Sequence, residues 1–432
     1  MKQFTYKAGY LAKFFGRWLL LSVITGALSG LLGTAFHVLV EVVTEARGEH
    51  PWLLWCAPLA GLVIATLYRV TKTEGIGTNA ILDGVSDGKG LNPWLIPVIF
   101  VSTVLTHLVG GSVGREGAAL QMGGDIGYQA AGWLKFSDHE RRTATICGMA
   151  AFFSALFGTP VAATAFALMV INVGVVFYAA FVPALTSALV AYLISLLFGV
   201  EPTRFAVTVP AETAGLYLKS AVLGLACAAV SVIFYHVIHQ AEHRLAHLLP
   251  NPWLRAALGG AAIVALSYLF GVGRYNGAGM GVISAAIEQG QALPWDWVCK
   301  LILTALTLAA GFKGGEVVPS FFVGATFGCV MGGLLGIPAG FAAAMGLAAV
   351  FCGATNCIIP TILLATELFG GQGIVCYAIV CGITFVCTGY GGLYSSQKNY
   401  TAKWASEYFA SRPWAAKPWE GEKHEADDSV LH

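Results

Sequence analysis

Long apolar blocks fill most of the chain, and short polar or glycine-rich stretches divide them into crossing and broken segments. Trp18 to Val43 is long enough to cross a bilayer with tilt. Trp52 to Val70 predicts a second crossing. Gly75-Ile76-Gly77-Thr78-Asn79 then interrupts, and a short amphipathic piece follows from Ala80 to Val85. Pro93 to Val109 is apolar and runs into a glycine-rich stretch, from which a helix is predicted between Glu116 and about Leu134. Lys135 to Arg142 is a charged loop. Ala144 to Val173 is apolar but broken around Gly158-Thr159-Pro160, and Phe177 to Phe198 predicts another crossing.

After the polar, proline-bearing stretch Val200 to Glu212, the pattern starts again. An apolar run extends from Thr213 to about Ile238, and the histidines and charges after it, His239 to His247, read as a solvated helix end. Pro252 to Phe270 crosses next. Gly277-Ala278-Gly279-Met280-Gly281 interrupts, and a short amphipathic piece reaches Glu288. Trp297 to Ala310 meets Gly311-Phe312-Lys313-Gly314-Gly315-Glu316, and a helix follows through Gly332. Phe341 to Phe369 is broken at Gly353-Ala354-Thr355-Asn356, and Ile374 to Val386 precedes a glycine-rich stretch ending at Gln397.

The two halves repeat. Glu116 and Glu316 lie 200 positions apart, and at that offset Gly111, Gly114 and Gly124 match Gly311, Gly314 and Gly324. Downstream, at an offset of 198, Gly148, Ala150, Ala151 and Phe153 match Gly346, Ala348, Ala349 and Phe351. Paired broken segments in two halves are the sequence mark of a mid-membrane binding site in transporters. Irregular backbone survives at that depth only where protein or a cavity covers it. The predicted organisation is an N-terminal cytoplasmic segment 1–17, a first membrane repeat 18–199, a linker 200–212, a second repeat 213–397 and a cytoplasmic tail 398–432.

The candidate chemistry lies in the stretch Gly110 to Gly124, which carries an acid between two apolar segments. An ionisable group at membrane depth is expensive and marks a pathway or coupling site. The glycines end the incoming helix, and the residues after Glu116 are helix-compatible. The stretch therefore predicts a helix N-terminus aimed into the membrane interior, where free N–H groups and the helix dipole favour an anion. Packing through small residues accounts for the glycines but not for the acid.

Composition fits this. Hydrophobic residues make up 57% of the 432 positions, charged residues 11%, and mean hydropathy is +0.72, the values of an α-helical membrane protein. A net charge of +1 gives no reason to expect nucleic acid as a partner. The ten cysteines lie mostly in apolar segments without CxxC spacing and read as small buried residues, so no metal or other cofactor is expected. Lys2, Lys7, Lys13 and Arg17 precede the first apolar run and are read as a retained cytoplasmic end.

Gly114-Arg115-Glu116-Gly117 resembles the signature of the CLC family of chloride channels and proton-coupled anion antiporters, and the resemblance extends from about Trp18 to Gln397. It implies an all-α integral membrane fold with two inverted repeats, broken helices whose N-termini meet around dehydrated anions, and a homodimer in the lipid of the cell's inner membrane. Carried over, Glu116 resembles the gating glutamate, flanked by Gly114, Arg115, Gly117 and Ala118. Tyr394 resembles the tyrosine whose hydroxyl faces the central anion. At the first break the anion-facing serine of chloride members corresponds to Ile76 by glycine spacing, or to Thr78 in a shifted register, between Gly77 and Asn79.

Gly311 to Val317 and Leu393 to Lys398 are most similar to the fluoride-exporting branch, which has threonine where this chain has Val318. Acid Glu316 stands where chloride members carry an apolar residue, and Met169-Val170 replaces the acids that admit internal protons in chloride antiporters. Fluoride is strongly hydrated and accepts hydrogen bonds well, so neutral carboxyls at Glu116 and Glu316 would replace part of its water. The resemblance thus implies a fluoride/proton antiporter that exports fluoride, with a chloride antiporter or channel as the alternative. An intramembrane enzyme using Glu116 and Glu316 would need a nucleophile, for which Ser112, His107 and Lys313 are the candidates.

Overall fold

The computed structural model describes residues 2–88, 90–400 and 403, with side chains from Lys13 onward. The chain forms sixteen α-helices among these residues. In the first half these are α1 (Lys2–Glu49), α2 (Ala57–Val70), α3 (Thr78–Asp87), α4 (Leu95–Leu108), α5 (Glu116–Trp133), α6 (Asp138–Phe157), α7 (Pro160–Met169) and α8 (Phe181–Leu197). The second half contains α9 (Ala214–Leu248), α10 (Pro252–Phe270), α11 (Met280–Glu288), α12 (Asp296–Ala309), α13 (Val317–Leu335), α14 (Ala339–Thr355), α15 (Ile358–Phe369) and α16 (Ile374–Cys387). Six spans among the described residues are long and apolar enough to cross a membrane. The shorter apolar helices α4, α7, α14, α15 and α16 need their ends covered by protein.

The expected breaks are present, and their causes are local. Gly158 ends α6 in the left-handed conformation and Pro160 opens α7. Asn356, also left-handed, ends α14. Several helices exceed the expected apolar runs, among them α6, which starts at Asp138 inside the expected charged loop Lys135 to Arg142 because Ser137 and Glu140 cap it. Upstream, α1 continues to Lys2 through residues expected to precede the membrane, and α9 continues through His239 to His247 to Leu248. Its polar residues are helix-compatible, and the chain meets no stop before Leu249 and the Asn251 cap of α10. At the other end of the chain, Lys398–Asn399 pairs in parallel with Asn172–Val173, which ties the start of the tail to the first half. The stretch Glu420 to Asp428, whose polar and charged sequence leads to an expectation of disorder, lies outside the described residues.

Each half packs one helix pair through glycine. A Cβ on Gly123 or Gly127 of α5 would strike the carbonyls of Gly148 or Ala144 of α6. Gly324 and Gly328 of α13 stand in the same relation to Gly346 and Ala342 of α14. Small residues at such contacts let backbones approach closely where the surroundings offer no hydrophobic drive.

This pairing corrects the repeat register. The helices α4 and α12 start 201 residues apart, as do α5 and α13. Left-handed Gly110 matches Gly311, and Gly123 matches Gly324. The 200-residue offset aligned glycine and glutamate letters, whereas the backbone places Val317 opposite Glu116 and Glu316 opposite Arg115. The 198-residue offset further along holds, since Gly148 and Gly346 make equivalent contacts.

The halves meet at one antiparallel bridge. Gly114 N–H donates to Gly315 O, and Gly315 N–H donates to Gly114 O, both at 2.8 Å. Beside it, Ser112 N–H donates to Thr307 Oγ1 at 3.1 Å and Lys313 N–H donates to Thr106 Oγ1 at 3.2 Å. These two bonds interchange when the halves are exchanged at 201. A local pseudo-twofold therefore passes through the bridge and relates the starts of α5 and α13.

Candidate functional site

Glu116 is the first residue of α5 and is fully buried. Its Oε2 accepts the backbone N–H of Val318 at 3.3 Å, in the first turn of α13. Its Oε1 has no protein partner. Gly114 and Gly315 make this possible. A Cβ on Gly315 would lie 3.2 Å from Glu116 Oε2, and one on Gly114 would overlap it. The carboxylate thus rests at the meeting point of two helix N-termini, where an anion would receive the same N–H and the same dipole. Val317, Val318 and Ala118 are buried around it, and Gly117 brings the α5 backbone close enough that a Cβ there would stand 2.9 Å from Gly315 Cα.

A cavity of about 310 Å³ lies on one side of the bridge. Glu316, Tyr394, Ile76, Gly77, Thr78 and Asn79 all line it, so both candidates for the anion-facing position at the first break reach the same space. Thr78 Oγ1 accepts from Gln121 Nε2 at 3.2 Å. Asn79 Oδ1 accepts the Ser396 N–H at 3.2 Å, which fastens the start of α3 to the segment carrying Tyr394. Tyr394 is 5% exposed and its hydroxyl has no protein partner. Glu316 is the N-cap of α13, and a Cβ on Gly117 would stand 3.6 Å from its Oε2. The cavity reaches Gly314 and Glu316 but not Arg115 or Glu116. Lys313 also lines it, with Nζ 4.6 Å from the centre of the Tyr68 ring.

The residues that an enzyme would need are engaged separately. Ser112 Oγ bonds to Thr304 Oγ1 at 3.0 Å, and His107 Nδ1 bonds to Thr103 O at 2.9 Å. Lys300 and Asp125 are among the buried ionisable groups that the sequence analysis does not single out. Lys300 is fully buried in α12. Asp125 is buried in α5, where Oδ1 accepts from Gln129 Nε2 at 2.9 Å and Oδ2 is unpartnered. Their signal was available, since each is a charged side chain inside an apolar run.

Residues 60–389 match the family model described as voltage gated chloride channel. The chain belongs to the CLC family. The matched span holds Glu116 and Glu316 and ends before Tyr394. A relative from Pseudomonas syringae pv. tomato, named chloride/fluoride channel protein, is 33% identical over 400 residues, covering 90% of this chain and 88% of the relative. The H(+)/Cl(-) exchange transporter ClcA of Yersinia pestis is 26% identical over 417 residues, covering 88% and 86%. Among solved structures, a CLC-type fluoride/proton antiporter superposes with a TM-score of 0.86 at 33% identity, covering 89% of this chain and 98% of that one. As a CLC member the chain is an integral membrane anion transporter, and the inverted repeats that meet at the Gly114–Gly315 bridge are the frame of its CLC fold.

Proposed function

We propose that this CLC protein is a fluoride/proton antiporter that exports fluoride, with Glu116 as the proton-linked gate. The observation that carries this reading is the Glu116 carboxylate on the Val318 N–H, in a place suited to a dehydrated anion. When ionised, the side chain competes for that place. When protonated, it loses its charge, releases the N–H and carries its proton with it. Glu316 and the unpartnered Tyr394 hydroxyl then face an ion arriving through the cavity. A neutral Glu316 carboxyl and the hydroxyl donate to fluoride in place of water. Arg115, Gly117, Ala118, Val317 and the Gly77–Asn79 loop complete the backbone surround. The working unit is a homodimer in the cell's inner membrane, each subunit built from repeats 18–199 and 213–397.

Support comes from the fluoride named in the description of the Pseudomonas relative and of the structural neighbour at 33% identity. The test is efflux from proteoliposomes loaded with fluoride or chloride, with external pH recorded. Fluoride efflux accompanied by proton uptake is expected, with chloride efflux far slower. Rapid chloride efflux without proton movement would overturn the assignment.

A further inference from the structure

The two repeats carry corresponding glycine loops in opposite conditions, with Gly77 extended before α3 and Gly279 left-handed before α11. In the first, Gly75 and Gly77 precede α3 with nothing within 4 Å of a Cβ built on either, and the cavity described above opens there. In the second, Gly277 and Gly279 precede α11. A Cβ on Gly279 would lie 2.7 Å from Phe322 Cδ2 and 3.6 Å from Lys300 Nζ. At the 201-residue offset that relates α4 to α12 and α5 to α13, Lys300 corresponds to Ile99 and Phe322 to Gln121. Both first-repeat residues line the open cavity.

Lys300 and Phe322 are each fully buried. The ammonium donates to Tyr275 O at 3.1 Å and Gly277 O at 2.6 Å, and it stands 5.2 Å from the centre of the Phe322 ring. The loop itself is tied down on its other side. Gly277 N–H donates to Gly111 O at 2.9 Å, and Asn276 Nδ2 donates to Gly110 O at 2.6 Å and Ser267 Oγ at 2.8 Å. The guanidinium of Arg47 donates to His107 O beside it. Burying an ammonium is costly even with two carbonyls to receive it, and an isoleucine there, as in the other repeat, would avoid that cost. A lysine at this place therefore calls for a role that outweighs its desolvation.

We infer that Lys300 and Phe322 form a fixed plug that closes the second mouth of the anion pathway. The ammonium holds the loop carbonyls that would otherwise be free, and the ring fills the space that the Gln121 position leaves open in the other repeat. An ion entering from the open cavity is then confined to the route past Glu116, which makes exchange obligatory. This inference rests on the transport reading above, since a plug has meaning only in a pathway.

The test exchanges the residues between repeats in the full-length protein reconstituted in liposomes. Lys300→Ile with Phe322→Gln should open a second cavity and add an anion leak, lowering the protons moved per anion by about tenfold or more. The reverse change, Ile99→Lys with Gln121→Phe, should fill the open cavity and slow anion flux by about tenfold or more. Thermal unfolding and size-exclusion profiles establish that each variant is folded. Lys300→Met, which keeps bulk but not the two hydrogen bonds, should give a smaller leak. An unchanged proton-to-anion ratio in the folded Lys300→Ile/Phe322→Gln protein overturns the plug. If that variant does not fold, unchanged flux through the folded reverse variant overturns it equally. Loss of all proton-coupled anion movement in the unmutated protein would instead strike the proposed function.

Discussion

Glu116 of the first repeat accepts the backbone N–H of Val318, 202 residues along the chain and in the second repeat. One side chain therefore joins the two halves at their twofold and occupies the place suited to an anion. Replacing it with glutamine keeps the shape and a hydrogen-bonding oxygen but removes the charge and the transferable proton. Glu116→Gln is expected to lower proton movement by about tenfold or more while leaving the protein folded. The check is pH recording during fluoride efflux, with thermal unfolding as control. Proton coupling that persists unchanged in this variant would remove Glu116 from the mechanism.

The helix start at Glu116 was legible because glycine and acid together break an apolar pattern. The repeat was legible for the same reason, yet its register was misread by one residue. Glycine and glutamate letters align best at 200, but left-handed Gly110 and Gly311 and the starts of α5 and α13 align at 201. Letters record side chains, whereas the repeat is conserved in backbone geometry. The solvated end of α9 at His239 to His247 was legible, because charges and histidines after an apolar run mark the water-exposed turns of a helix. The asymmetry between Ile99 and Lys300 was out of reach, because it depends on knowing which loop each side chain covers.

The glycine contact between α5 and α6 leaves no room for a side chain. A Cβ on Gly148 would overlap the Gly123 carbonyl. Gly148→Val should destabilise the protein by about 1–3 kcal/mol or more, as overpacking does. In α13, a Cβ on Gly333 meets nothing within 4 Å. Gly333→Ala should therefore hold or raise stability, since alanine is the better helix former. Thermal unfolding in one detergent compares the two. Equal stability of both variants would contradict the close-packed crossing.

The first turn of α6, which occupies most of the expected charged loop, carries a complete capping box. Ser137 N–H and Oγ both donate to Glu140 Oε2 at 2.8 Å, and Ser137 Oγ accepts the Glu140 N–H at 3.4 Å. Ser137→Ala should cost about 1 kcal/mol. Partial burial pushes the Glu140 carboxyl upward, but the bonds from Ser137 and the nearby Arg17 outweigh it, and the group lies below its ordinary value. A depressed folded value means that the contribution is present above the unfolded pKa of about 4.3 and is lost as pH falls through the folded value. Glu140→Gln should therefore unfold earlier than the unmutated protein at neutral pH, with the difference shrinking on acidification. A difference that grows as pH falls would reverse this sign.

Glu316 separates a fluoride carrier from a chloride pathway. It occupies the N-cap position of α13 without a side-chain capping bond and lines the open cavity with Tyr394, one position before the residue that matches Glu116. A carboxylate beside a chloride ion repels it strongly where water is scarce. A neutral carboxyl donates a hydrogen bond, which a small, strongly accepting ion uses best. In a fluoride carrier, Glu316→Ala should slow fluoride transport by about tenfold or more, because one donor to the dehydrated ion is lost. In a chloride pathway, the same change should leave chloride flux similar or faster. If Glu316 has no part in transport, Glu316→Gln should keep the fold, the fluoride flux and the proton coupling together. Both fluxes and the unfolding temperature, measured for Glu316→Ala and Glu316→Gln, distinguish these outcomes. Near-normal fluoride export by well-folded Glu316→Ala protein would exclude a fluoride-specific role for this acid.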